Sequence, residues 1–160
     1  MYRKILCAAD FNETCAWAVA EAADIARREG AELLLCHFIA SPYKYSRDFV
    51  YAEPGSQEQA VMGPEVRRRY EERLRAAYGE KLDGRARLVV ASGFPETEIL
   101  RLARREGADL IVLGRTGLHD GGTGREVLRR ARCPVMVMTG SSSFILSGAK
   151  ASSCRMVAAA

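Results

Sequence analysis

The chain is poor in the residues from which catalytic and metal centres are usually built. It holds two histidines, His37 and His119, and neither is spaced to make a zinc-ligand pair. Its five cysteines (Cys7, Cys15, Cys36, Cys133 and Cys154) are scattered with no C-x-x-C among them. Two of these sit in apolar runs, where cysteine acts as a small hydrophobe. An odd cysteine count without a secretion signal points to a reducing cytoplasm. The only apolar run near the start, Ile5 to Ala9, is too short for a signal peptide, and no stretch is long enough to span a bilayer. There is no G-x-x-x-x-G-K-[ST], no G-x-G-x-x-G after the first apolar run and no G-x-S-x-G. These absences exclude a P-loop NTPase, an ordinary dinucleotide fold and a nucleophile elbow. No acid–base pair stands out, and nothing announces catalysis. The formal charge of +4 falls short of a nucleic-acid footprint. The arginine groups Arg67–Arg69, Arg104–Arg105 and Arg129–Arg132 are spread over different predicted helices and read as solvated faces.

What is present is a rhythm. With 160 residues, 48% hydrophobic and 28% charged, the chain suits one domain with a sizeable core. Apolar runs at Lys4–Ala9, Leu33–Ile39, Arg87–Ala91, Asp109–Leu113 and Val135–Met138 read as five buried strands. Between them lie amphipathic stretches with helix signals. Asn12 or Thr14 can cap the first, whose apolar face holds Trp17, Ala18, Ala20, Ala22, Ile25 and Ala26, with Gly30 at its end. Pro64 opens the second, with Val66, Tyr70, Leu74 and Ala77 on one face. Pro95 opens a third, facing inward through Ile99, Leu100, Leu102 and Ala103 and stopped by Gly107; Arg125 to Arg132 is a fourth. Alternation of this kind predicts an α/β fold: a doubly wound five-stranded parallel sheet, order 3-2-1-4-5, with helices on both faces. Residues 41–63, with Tyr43, Tyr45 and Tyr51, form a long connection that reads as a lid, an oligomer contact or a plain surface excursion. The domain is expected over 1–139. Residues 140–160 read as an appendage outside the core, flexible by composition, with Phe144 to Leu146 available to dock on a partner.

The fourth strand runs directly into a glycine-dense loop, Gly114 to Gly124, and then into a short basic helix. Glycines let the backbone turn sharply and expose its N–H groups. Donors gathered before a helix N-terminus favour an anion, most often phosphate. In a sheet of order 3-2-1-4-5 the winding reverses between strands one and four, and ligands lie outside the carboxyl ends there. Asp10, Gly114, Phe38 and Ile39 should therefore border one crevice. The candidate nucleotide-binding residues are Ala8, Ala9, Asp10, Phe38, Leu113, Gly114, Arg115, Thr116, Gly117, Gly121, Gly122 and Thr123. Gly114 and Gly117 would admit a phosphate close to the backbone. Gly121, Gly122 and Thr123 would supply N–H groups and a hydroxyl, and Phe38 an apolar wall for a purine. Asp10 would accept from a ribose hydroxyl or hold a metal-bound water. Plainer readings stand beside these. Asp10 also suits a turn or N-cap, Thr123 and Glu126 have capping-box spacing, His119 suits a solvated loop, and His37 a hydrogen-bonded core position.

The motifs in order resemble the universal stress protein family over about residues 2–139. They are Ile5-Leu6 with Ala9-Asp10, Leu35 to Phe38, Gly93-Phe94-Pro95, Ala108 to Gly117, and Cys133 to Val137. The resemblance implies a cytoplasmic stress-response protein that binds ATP, ADP or AMP, with or without Mg²⁺, and forms homodimers, often through the last strands. It also places Asp10 and Phe38 at adenosine-contacting positions. ATP-binding members carry G-x-x-G, a longer spacer, then Gly-Ser or Gly-Thr. Gly114 and Gly117 match the first half, but only three residues separate Gly117 from Gly121, and the hydroxyl is missing or shifted to Thr123. The alternative is a nucleotide-free dimeric scaffold acting through an unidentified protein partner. Neither nucleic acid nor a membrane is expected as a partner.

Overall fold

The computed structural model describes residues 1–39, 64–115 and 122–139 with their side chains, and the backbone of two further strands at 143–146 and 157–158. The five expected parallel strands are β1 (Lys4–Ala8), β2 (Glu32–Ile39), β3 (Ala86–Ser92), β4 (Leu110–Gly114) and β5 (Val135–Met138). They lie in the order β3-β2-β1-β4-β5, as the alternation predicted. The sheet does not stop there. Strand β6 (Ser143–Leu146) pairs antiparallel with β5, and β7 (Val157–Ala158) pairs antiparallel with β6, giving a sheet of seven strands among the described residues. Phe144 to Leu146, expected as a docking segment, thus adds to the sheet of its own chain, where an apolar run covers an edge of β5 that would otherwise be open. The 41–63 connection lies outside the described residues.

The continuous apolar runs are explained by burial on both faces. Ile5 and Cys7 point into the layer formed by α1 (Glu13–Glu29) and α2 (Pro64–Tyr78). Leu6 points into the layer formed by α3 (Pro95–Glu106) and α4 (Thr123–Arg130). The helices following β1 and β2 cover one face and those following β3 and β4 the other, which is the geometric consequence of reversing the winding at β1/β4.

Helix α1 starts at Asn12, whose Oδ1 accepts the Cys15 N–H at 2.8 Å; the Thr14 hydroxyl donates to the same oxygen at 2.8 Å. Between the two candidates, Asn12 is the cap and Thr14 supports it. The helix buries Cys15, Ala18, Val19, Ala22, Ala23, Ile25 and Ala26 and ends on Gly30 at φ 68°. Trp17, expected on the buried face, is 46% exposed: the stripe of small residues brings the helix close to the sheet and turns the indole outward. In α2 the buried residues are Leu74 and Tyr78, with Tyr70 half-buried, while Val66 and Ala77 are exposed. The i, i+4, i+8 row 70–74–78 replaces the expected 66–70–74–77 row.

Candidate functional site: a crevice at the sheet reversal

Strands β1 and β4 lie side by side, with Ile5 opposite Leu110 and Cys7 opposite Val112, so their carboxyl ends open together. Helices α1, α3 and α4 follow β1, β3 and β4 and begin at that edge, bringing the positive ends of three helix dipoles to one side of the sheet. Acidic first-turn residues lie there too, but two are neutralised locally. Glu98 pairs with Arg101, and Glu126 pairs with Arg129 at 2.8 Å and Arg130 at 3.3 Å. Hydrogen bonding from Arg129 holds the Glu126 carboxyl below the usual carboxylate range. Its charge is thus turned down the helix rather than toward its start, so it does not oppose a phosphate at the N-terminus.

The β1–α1 turn carries the only acidic side chain of the candidate set. Asp10 is exposed, and its carboxylate accepts the Asn12 amide at 3.3 Å and the Asn12 Nδ2 at 2.6 Å. The plainer reading of Asp10 holds, since it shapes the turn, and its carboxylate stays exposed. The Asp10 N–H donates to the Cys15 sulfur at 3.3 Å, and the Tyr78 hydroxyl donates to the same sulfur at 3.5 Å. Burial pushes both the Cys15 thiol and the Tyr78 hydroxyl up, so each keeps its proton at neutral pH. Ala9 is buried and its backbone is engaged: N–H to the Cys36 carbonyl at 2.8 Å, carbonyl to His37 Nδ1 at 2.7 Å. Ala8 is half-buried against the α3/α4 layer.

The β4 end is equally close-packed. A Cβ on Gly114 would meet Thr14 Oγ1 at 3.1 Å and the Cys15 nitrogen at 3.2 Å. Gly114 is therefore needed where α1 crosses the strand end, and on that side its missing side chain serves helix packing rather than a phosphate. Leu113 is buried in the α3/α4 layer, so any contact it makes with a ligand is through its backbone. Arg115 is exposed. Phe38 is half-buried against the same layer, one residue before the end of β2. Gly122 is the N-cap of α4 and makes no side-chain cap bond. Thr123 is the first helical residue, and its hydroxyl donates to Glu96 at 3.5 Å. The expected Thr123–Glu126 capping box does not form, since Gly122 takes the cap position and Glu126 is drawn to the two arginines. Thr116, Gly117 and Gly121, like His119, lie outside the described residues.

One group that the sequence did not bring together is the ring set beside the β1–α1 turn. His37, expected as a core residue, is half-buried and stacks on Tyr70 with centroids 5.1 Å apart and 19° between planes. Phe11 lies 4.8 Å from His37, and Arg73 sits 4.2 Å over the Phe11 ring. A polar residue near the carboxyl end of an otherwise apolar strand was the available signal. Phe11 gave none: its φ of 64° is a conformation a sequence reader assigns to glycine.

As to cofactors, an exposed carboxylate, a half-buried aromatic wall and converging helix N-termini suit a nucleotide. No group of three metal-binding side chains occurs among the described residues. No helix among them is long and apolar enough to cross a membrane.

The class these features define is a doubly wound α/β sheet whose winding reverses between β1 and β4. Within that class the chain belongs to the universal stress protein family, whose model matches residues 1–139. A putative universal stress protein of Staphylococcus epidermidis is 31% identical over 144 residues, covering 86% of this chain and 84% of that protein. A universal stress protein from Archaeoglobus fulgidus solved in complex with dAMP shares the fold at a TM-score of 0.59 and 21% identity, covering 86% of this chain and 98% of its own. Another, solved in complex with cAMP, has a TM-score of 0.59 at 20% identity, covering 86% and 96%.

Proposed function

We propose that this chain is a cytoplasmic stress-response protein that binds an adenine nucleotide in the β1/β4 crevice and works as a regulatory homodimer. The observation that carries the reading is that the β1–α1 turn, with the exposed Asp10 carboxylate, and the chain leading into α4 leave neighbouring strands at the sheet reversal. The dAMP and cAMP held by relatives of the same fold support it. In this reading Asp10 accepts from the ribose and Phe38 borders the base. Arg115, Thr116, Gly117, Gly121, Gly122 and Thr123 surround the phosphates, and Ala8, Ala9, Leu113 and Gly114 form the floor. A single helix-terminus contact contributes about 0.3–1 kcal/mol. Micromolar affinity needs roughly 8 kcal/mol, so the base, ribose and phosphate contacts have to act together.

The test is a thermal-shift titration with AMP, ADP and ATP. A ligand at a hundredfold excess over its Kd stabilises by about 2.7 kcal/mol, which for a chain of this size raises Tm by roughly 5–10 °C. Asp10→Ala and Gly117→Val should each remove the shift while the protein without ligand keeps its cooperative transition. No shift with any of the three nucleotides would favour the scaffold reading, in which the chain acts through protein contacts alone.

A further inference from the structure

The β1–β2 ladder continues one step past β1, where the Ala9 N–H donates to the Cys36 carbonyl at 2.8 Å. The next rung is not backbone. It is made by the His37 side chain, whose Nδ1 lies 2.7 Å from the Ala9 carbonyl oxygen. A carbonyl cannot donate, so Nδ1 carries the proton and the tautomer is fixed. The ring that makes this bond is itself held between Tyr70 of α2 and Phe11 of the turn, at 5.1 and 4.8 Å. Phe11 occupies the left-handed region at φ 64°, a strained conformation for a bulky side chain. It is retained there by His37, by Tyr78 stacked at 6.1 Å and 14°, and by Arg73 above its ring. A strained residue persists only when its surroundings over-determine it, and Asp10 sits between the His37-bound carbonyl and the clamped ring.

We propose that His37 is a positioning residue of the crevice. Its Nδ1–H holds the Ala9 carbonyl and its ring seats Phe11, so that the turn from Ala9 to Asn12 presents the Asp10 carboxylate in one orientation. The two sides of β2 then divide the work. Phe38 faces the α3/α4 layer and borders the crevice, while His37 faces the opposite layer and sets the turn beside it. The ligand half of this inference rests on the nucleotide reading; the ordering of the turn does not.

The experiment compares His37→Leu, which removes the donor, with His37→Asn, whose Nδ2 stands where Nδ1 stood. Amide hydrogen exchange of Asn12 to Cys15 is measured without ligand, and ADP affinity by titration. In His37→Leu the turn amides should exchange about tenfold faster and ADP should bind about tenfold more weakly, the scale of one lost buried hydrogen bond. In His37→Asn both should return to within about threefold of the parent. Should the leucine variant fail to fold, His37→Gln, which carries its donor one bond too far out, takes its place. Unchanged turn exchange in the donor-less variant overturns the positioning role. A loosened turn with undiminished ADP affinity overturns its connection to the ligand. A parent that binds none of AMP, ADP and ATP overturns the nucleotide reading and the ligand half with it, while turn exchange still decides whether His37 orders the turn.

Discussion

At the scale of single residues, the crevice is governed by close approach. Gly114 has its would-be Cβ 3.1–3.2 Å from Thr14 and Cys15, and two of those contacts are backbone atoms of α1. Backbone yields less readily than a side-chain tip, so Gly114→Ala should cost about 1–3 kcal/mol, read as a lower urea midpoint at an unchanged slope. An unaffected midpoint would show that α1 can retreat freely. His37 makes a second prediction, in pH. Burial, the largest influence, lowers its pKa; the Ala9 carbonyl acts the other way and the Arg73 charge adds to the lowering. A folded-state value below the unfolded one means the unfolded chain takes up the proton first. Stability is therefore complete above about pH 6.5 and falls as pH drops through the histidine range toward the lower folded value. His37→Asn should flatten urea midpoints between about pH 7.5 and 5.5, and an identical slope in that variant would assign the effect to other groups. Part of this level was readable beforehand: the order of apolar runs puts Asp10 just past β1, Gly114 at the end of β4 and Phe38 near the end of β2, which is where they stand. What was not readable were contacts across the chain. Gly114 looks the same in a sequence whether a phosphate or a helix fills the space beside it, and nothing local announces a phenylalanine in the left-handed region.

At the scale of elements, legibility followed how many faces of an element were buried. Strands β1, β2, β4 and β5 have both faces covered, and their unbroken apolar runs are unambiguous. Helix α2 is the opposite case. It is rich in charge, touches the sheet along one narrow row, and its apolar residues permit two rows that share Tyr70 and Leu74. The structure selects the row ending in Tyr78, because that hydroxyl reaches the Cys15 sulfur and the ring reaches Phe11. The distinction is measurable. Leu74 is fully buried, so Leu74→Ala should destabilise by about 2–5 kcal/mol. Val66 is 40% exposed, and Val66→Ala should change stability by less than about 0.5 kcal/mol. Comparable losses at both positions would restore the row expected from the sequence. Capping was legible in the same graded way. Asn12 and Thr14 were equal candidates because both side chains can accept from the first turn, and here one accepts while the other donates to it.

At the scale of the whole molecule, the five-strand order follows from alternation and handedness, but the far edge does not. Composition marks residues after Thr139 as small and polar around a short apolar run, which describes a tail and an edge strand equally well. The structure pairs Val135 to Met138 with Leu146 to Ser143, so the side of the sheet on which family likeness places a dimer contact is covered by the chain itself. Left unpaired on that side, β5, buried and apolar along its length, would be a template for another chain. Strand β6 therefore limits association through β5, and any homodimer that uses this edge has to displace or exchange it. The amides of successive strand residues point to opposite sides, and β6 is flanked by β5 and β7. Of Phe144 and Ile145, one directs its N–H toward β5 whichever the phase. Replacing both with proline removes that donor in either case. The double variant should associate more strongly than the parent, seen by light scattering as a rise in mean mass across a concentration series. A mass curve that overlays the parent's would show that the edge is closed by something other than β6, and would move the search for the dimer contact to β3 at the other end of the sheet.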